Sequence, residues 1–199
     1  MSFADAFSNP DVIRNAYFTS YWAWILMEIW IFSRDVRKGS GQKKDRGTFI
    51  LICVLITAGI TLAFWAPHLW PQAKMALPML PRVWTAITLI WAGIFLRSWA
   101  VLTLGRHFRT SVRILDDHKL VTSGPYRVLR HPSYTGGLIT VFGVGLGLGN
   151  WISLAAAFAG IFISYSVRIL VEEKALREHF GEAFEAHAKR TWAVLPPLW

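Results

Sequence analysis

Residues 134–171 read YTGGLITVFGVGLGLGNWISLAAAFAGIFISYSVRILV, two apolar runs with only Gly149 and Asn150 between them. A transmembrane helix needs about 20 predominantly apolar residues. The runs 134–148 and 151–171 approach or reach that length. Because two residues can form only a tight connection, the sequence predicts an antiparallel helical hairpin here.

Three further apolar runs precede this hairpin, at residues 17–32, 48–66 and 83–102. Hydrophobic residues make up 54% of the chain, and eleven of its residues are Trp, which is enriched where membrane proteins meet the lipid headgroups. The sequence therefore predicts an all-α, multi-pass integral membrane protein with about five transmembrane helices.

We treat residues 1–199 as a single membrane domain. Residues 1–102 form its three-helix N-terminal part. We expect residues 103–199 to form the part that carries the chemistry, with a polar segment, the helical hairpin and a C-terminal tail.

The distribution of positive charge predicts the orientation. Residues 33–47, 103–133 and 172 onward hold sixteen Lys and Arg, whereas the opposite side holds only Arg14, Lys74 and Arg82. Basic loops stay in the cytoplasm. We therefore expect the N-terminus outside, and the C-terminal tail and the active site facing the cytoplasm. The basic residues behind the net charge of +9 lie between the apolar runs. This distribution favours membrane lipids as partners and excludes nucleic acid.

Two features near the cytoplasmic side leave alternatives open. Glu28 and Arg97 fall near the ends of their spans, where they either extend to the interface or pair between helices. The tail at residues 172–191 repeats apolar residues every three or four positions, which predicts an amphipathic helix on the cytoplasmic side, interrupted at Gly181.

The glycine repeat at residues 143–149 resembles a dinucleotide-binding loop but lacks its spacing and lies inside a span. Its GxxxG pairs favour close helix packing. Room for a lipid chain is the alternative.

The polar segment at residues 118–134, HKLVTSGPYRVLRHPSY, holds the candidate chemistry. Pro132 suits the first turn of a helix, which places His131 at a helix N-terminus that favours an anion. The aromatic faces of Tyr126 and Tyr134 can hold a sulfonium or a methylated cation. The alternative is that these side chains are interfacial anchors.

Arg168 and Glu172 are four residues apart and therefore lie on one helix face. The arrangement is either a salt bridge within the helix or a site, in which Arg168 holds an anionic substrate group and Glu172 holds a cationic group of a cofactor. One cysteine and scattered histidines predict no metal site.

The segment at residues 118–134 resembles the signature of the isoprenylcysteine carboxyl methyltransferases. Glu172-Glu173, Phe180-Gly181 and Leu195-Pro196 match that family's C-terminal part. The likeness covers residues 103–197, and its motifs are partly shared with related phospholipid methyltransferases. It implies an enzyme that uses S-adenosylmethionine, with Arg168 and Glu172 as catalytic residues and Arg168 on the substrate carboxylate. The residues it implies for the cofactor are His118, Lys119, Leu120, Val121, Tyr126, His131, Pro132, Ser133, Tyr134 and Glu172.

The function that this resemblance implies is carboxyl O-methylation of a prenylcysteine-like lipophilic carboxylate. One alternative is methylation of a phospholipid amine or a small thiol, which needs the same cofactor but has no use for an arginine. A second alternative is a non-catalytic membrane scaffold, in which the polar residues serve only the fold.

Overall fold

The computed structural model describes residues 8–36, 48–105, 108 and 120–196, and the regular elements within these ranges are all helical. Two short 3-10 helices, Pro71–Ala73 and Gly124–Arg127, accompany the α-helices. The all-α prediction is confirmed. The α-helices are α1 (Pro10–Val36), α2 (Thr48–Leu69), α3 (Met79–Leu104), α4 (Pro132–Leu148), α5 (Trp151–Phe180) and α6 (Glu182–Ala188).

Among the described residues, α2, α3 and α5 are long and apolar enough to cross a membrane. Helix α4 has 17 residues, and α1 carries charges along its 27. Helix α1 nevertheless exposes large apolar side chains such as Trp22, Leu26 and Ile29, each more than half accessible. Such a surface fits lipid, so the chain is an integral membrane protein. The number of five spans and the orientation remain predictions.

Helix α4 lies at the centre, between α3 and α5, and its glycines allow the close approach. A Cβ atom added at Gly143 would lie 2.8 Å from the Ala86 carbonyl oxygen of α3. One added at Gly145 would lie 2.8 Å from the Leu154 Cα of α5, and Gly147 faces the ring of Tyr17. The packing interpretation is therefore confirmed for these three glycines, which face protein and not an open gap.

The turn between α4 and α5 uses the two predicted residues. Gly149 ends α4 with a φ of 70°, in the left-handed region that glycine adopts readily. The Asn150 side chain accepts hydrogen bonds from the backbone N–H groups of Ile152 and Ser153 and so caps α5. Its amide also donates to the Trp70 carbonyl at 2.8 Å, which ties the hairpin to the loop after α2.

The predicted helical tail is present, but residues 172–180 continue α5 instead of starting a new element. Helix α5 runs without a break to Phe180, because no glycine or proline between residues 172 and 180 ends it. The predicted interruption at Gly181 is confirmed, since this residue has a φ of 52°. Only the seven residues of α6 form a separate tail helix.

Candidate active site

The approach to α4 is a buried turn. Tyr126 lies in the short 3-10 helix, and its hydroxyl donates to the Ala100 carbonyl of α3 at 3.4 Å. Burial, reinforced by the nearby Glu172 carboxylate, raises the pKa of the Tyr126 phenol, so that it stays neutral. Pro132 occupies the first turn of α4, and His131 occupies the N-cap position, both as predicted.

One turn of α5 meets the start of α4 at Tyr134. The Tyr134 hydroxyl donates to Glu172 Oε2 at 2.7 Å, and the Arg168 side chain interacts with the same hydroxyl. The ring of Tyr165 lies 4.6 Å from that of Tyr134, centroid to centroid. Arg168 is only 3% exposed, whereas Glu172 is half-buried. We call Tyr134, Tyr165, Arg168 and Glu172 the Tyr134 cluster.

The Tyr134 cluster places opposite charges one helical turn apart against aromatic rings. The guanidinium of Arg168 has the fork geometry that suits a carboxylate. The Glu172 carboxylate can accept hydrogen bonds from an ammonium group, and the Tyr134 ring, packed against His131 and Tyr165, holds its hydroxyl at this carboxylate. The structure thus brings together three of the residues that the sequence singled out, and adds Tyr165.

Glu173, the neighbour of Glu172, points to a different partner set. Its Oε1 atom accepts from Arg130 Nε at 2.8 Å and lies 3.2 Å from His131 Nε2. Its Oε2 atom accepts from Arg177 at 3.1 Å. His131, which is 5% exposed, also stacks on Tyr134. This predicted cofactor residue therefore supports the Tyr134 ring through its contact with Glu173.

The C-terminal segment completes this network. Residues 192–194 run along residues 128–135, and Ala193 and Val194 are fully buried. This contact between the two segments was not predicted from the sequence, because the pairing of distant segments leaves no periodic pattern. The hydrogen bonds join Arg130 N to Trp192 O (2.7 Å), His131 N to Ala193 O (3.0 Å), Trp192 N to Val128 O (3.0 Å) and Thr135 Oγ1 to Val194 O (2.8 Å).

Ser133 contacts α3 through Arg97. Arg97 Nη1 donates to the Ser133 carbonyl at 3.0 Å and to its hydroxyl at 2.9 Å. Arg97 Nη2 donates to Glu28 Oε2 at 2.8 Å. The pair between Glu28 and Arg97 is therefore formed. The interpretation that Arg97 extends to the interface is wrong, because its side chain is buried between helices.

For the other residues predicted to bind the cofactor, the structure gives burial alone or no description. Leu120 and Val121 are half-buried, and Pro132 is fully buried. His118 and Lys119 lie outside the described residues. Across the described ranges, no three His, Cys, Asp or Glu side chains are grouped in a way that could hold a metal ion.

Comparison with known proteins defines the class. Residues 81–183 match the phospholipid methyltransferase family, a range that contains the whole Tyr134 cluster. The probable protein-S-isoprenylcysteine O-methyltransferase of Oryza sativa subsp. indica is 36% identical over 162 residues, which cover 78% of this chain and 83% of the relative. Protein-S-isoprenylcysteine O-methyltransferase B of Arabidopsis thaliana is 38% identical over 55% of this chain and 57% of its own length.

A solved structure agrees with these relatives. The eukaryotic intramembrane Ras methyltransferase ICMT (isoprenylcysteine carboxyl methyltransferase) matches with a TM-score of 0.58 and 25% identity, over 72% of this chain. The matched region spans 51% of that structure's chain. The chain belongs to the isoprenylcysteine carboxyl methyltransferase family of membrane enzymes. The predicted family and the predicted enzyme class are confirmed.

Proposed function

We propose that this chain transfers a methyl group from S-adenosylmethionine to the carboxylate of a prenylcysteine-like lipophilic substrate, at a site facing the cytoplasm. The relatives named above are protein-S-isoprenylcysteine O-methyltransferases, which supports this acceptor class. The solved structure is named a Ras methyltransferase, which fits an acceptor presented by a lipidated protein.

The observation that carries the proposal is the position of Arg168. This cation is 3% exposed and lies one helical turn before Glu172, at the hydroxyl of Tyr134. A buried arginine beside aromatic rings is suited to bind a carboxylate through two parallel hydrogen bonds. In this proposal Arg168 holds the substrate carboxylate, already ionised at neutral pH, so the site needs no general base.

The side chains around Glu172 also fit the proposed cofactor. Glu172 is half-buried and already accepts one hydrogen bond from Tyr134, which fixes the carboxylate that would hold an ammonium group. The electron-rich rings of Tyr134 and Tyr165 nearby would favour a positively charged sulfur. When bound, S-adenosylmethionine would supply an activated methyl group for a carboxylate oxygen, giving a methyl ester and S-adenosylhomocysteine. The protein's part is to hold donor and acceptor in line and to exclude water.

The direct test is methyl transfer by the purified protein in nanodiscs. Radiolabelled S-adenosylmethionine and a farnesylated cysteine analogue should give a labelled ester that alkaline hydrolysis releases as methanol. The same analogue with its carboxylate amidated is the control and should take no label. Transfer to neither compound, by protein that still binds S-adenosylhomocysteine, would contradict the acceptor.

A second candidate, methylation of a phospholipid amine, is favoured by the name of the matching family. The two candidates differ in their need for Arg168, because an amine acceptor has no anion for the guanidinium to hold. Under the carboxylate proposal, Arg168→Ala should lower kcat/KM for the farnesylated analogue by about 100-fold or more. If this variant methylates a phospholipid amine at a rate within about twofold of wild type, that result would favour the amine acceptor.

A further inference from the structure

A partly buried ion pair joins α1 and α3 near the candidate site. Glu28 Oε1 is 2.6 Å from Arg97 Nε, and the Arg97 side chain is 10% exposed. Trp24, one turn earlier on α1, donates to the same Glu28 oxygen at 3.1 Å and so fixes the carboxylate. Ionisable groups inside a membrane bundle are costly to keep, which makes a pair in this place a candidate for a role in function.

Arg97 joins this pair to the first turn of α4. Its Nη1 atom donates both to the Ser133 carbonyl and to the Ser133 hydroxyl, so one guanidinium contacts α1 and α4 at once. The guanidinium is also close enough to Tyr134 and Tyr165 to interact with both electrostatically. Arg97 therefore lies close to the two tyrosines of the Tyr134 cluster.

Helix α4 approaches α3 closely at this same level. A Cβ atom added at Gly136 would lie 2.7 Å from the Arg97 backbone nitrogen. The helix start is thus held by backbone contact on one side and by the Arg97 side chain at Ser133. Ser133 directly precedes Tyr134, so the Arg97 contacts lie one residue from the tyrosine that donates to Glu172.

We infer that Glu28 is a positioning residue for the cofactor side of the site, acting through Arg97 and Ser133 on the Tyr134–Glu172 hydrogen bond. Glu28 lies on α1, outside the residues 81–183 that match the family profile. An N-terminal helix without any recognised motif thereby becomes part of the functional site. The inference rests on the proposed function, because it assigns Glu172 to the cofactor.

Two variants test this positioning role. Glu28→Gln keeps the size of the side chain but removes the charge that orients Arg97. Arg97→Lys keeps the charge pair but loses the fork that reaches Ser133. Small displacements of a binding group cost large factors, so both variants should bind S-adenosylhomocysteine about tenfold more weakly than wild type. Calorimetry on the folded fraction in nanodiscs measures this, with the melting temperature recorded in parallel.

The matched control is Asp11→Asn, which also exchanges a carboxylate for an amide on α1. Asp11 pairs with Arg14 at 3.0 Å on the exposed surface, and this variant should bind like wild type. A purely structural role of Glu28 would lower the melting temperature and leave the affinity of the folded protein unchanged, and that result would overturn the inference. If Glu28→Gln gives no folded protein, the affinity of folded Arg97→Lys for S-adenosylhomocysteine decides instead. An affinity equal to that of wild type would overturn the inference. Absence of binding by wild type would instead refute the proposed function.

Discussion

Two adjacent glutamates on α5 have different tasks. Successive residues of a helix point about 100° apart, so Glu172 and Glu173 face different neighbours. Glu172 bonds to Tyr134 and is half-buried, whereas Glu173 joins Arg130, His131 and Arg177. In the proposed function the first meets the cofactor, whereas the second holds the surrounding segments together.

Exchange of each glutamate for glutamine should separate these tasks. Glu172→Gln should weaken S-adenosylhomocysteine binding about tenfold, because a charged hydrogen bond contributes about 1.5 kcal/mol, with little change in melting temperature. Glu173→Gln should lower the free energy of unfolding by about 2 kcal/mol, because Arg130 and Arg177 lose their anionic partner. Calorimetry and thermal unfolding measure the two effects. The same response from both variants would contradict this division.

The helix face of Glu172 could be predicted from the sequence, and the partners of Glu173 only in part. The spacing of Arg168 and Glu172 follows from helix geometry, so their common face could be predicted. The partners of Glu173 could be predicted only in part, since Arg177 is one turn away but Arg130 is distant along the chain. Tyr165 was missed because an aromatic residue inside an apolar span has no pattern that separates it from lipid-facing neighbours.

At the scale of helices, glycine contacts on α4 determine how closely its neighbours pack. The position of the hairpin turn could be predicted, because Gly149 and Asn150 are the only residues between the two apolar runs. The end of α5 could not, because the polar residues after Val171 suggested a new element although nothing there breaks a helix. Helix ends follow from backbone conformation, which in this case changes at Gly181.

Enlarging Gly143 should separate α3 from α4. A Cβ at this position meets the Ala86 carbonyl, which belongs to a helix backbone and cannot rotate away. Gly143→Val should therefore lower the free energy of unfolding by about 1 to 3 kcal/mol. The control is Ala159→Val on the exposed side of α5, which should change it by no more than about 0.5 kcal/mol. Thermal unfolding in one detergent compares them, and equal effects would refute the assigned contact.

At the scale of the whole molecule, the asymmetry of sixteen against three basic residues predicts the orientation. The experiment uses single-cysteine variants, after Cys53, the one native cysteine, has been replaced by serine. Gln72→Cys should react with a membrane-impermeant maleimide on intact cells, whereas Lys189→Cys should react only in inside-out vesicles. Both positions are exposed, so access to the reagent depends on the side of the membrane. The reverse pattern would overturn the proposed cytoplasmic site.

The docking of residues 192–194 on the turn before α4 also bears on biosynthesis. Thr135 and its partner Val194 are 59 residues apart, and most of α4 and the whole of α5 and α6 are synthesised between them. A nascent chain emerges N-terminus first, so the turn that carries His131 obtains these hydrogen bonds only when the last of the described residues leave the ribosome. Until then the hairpin can insert, but the entrance to α4 lacks its partners. The proposed site can therefore take its final form only after both helices of the hairpin have been synthesised.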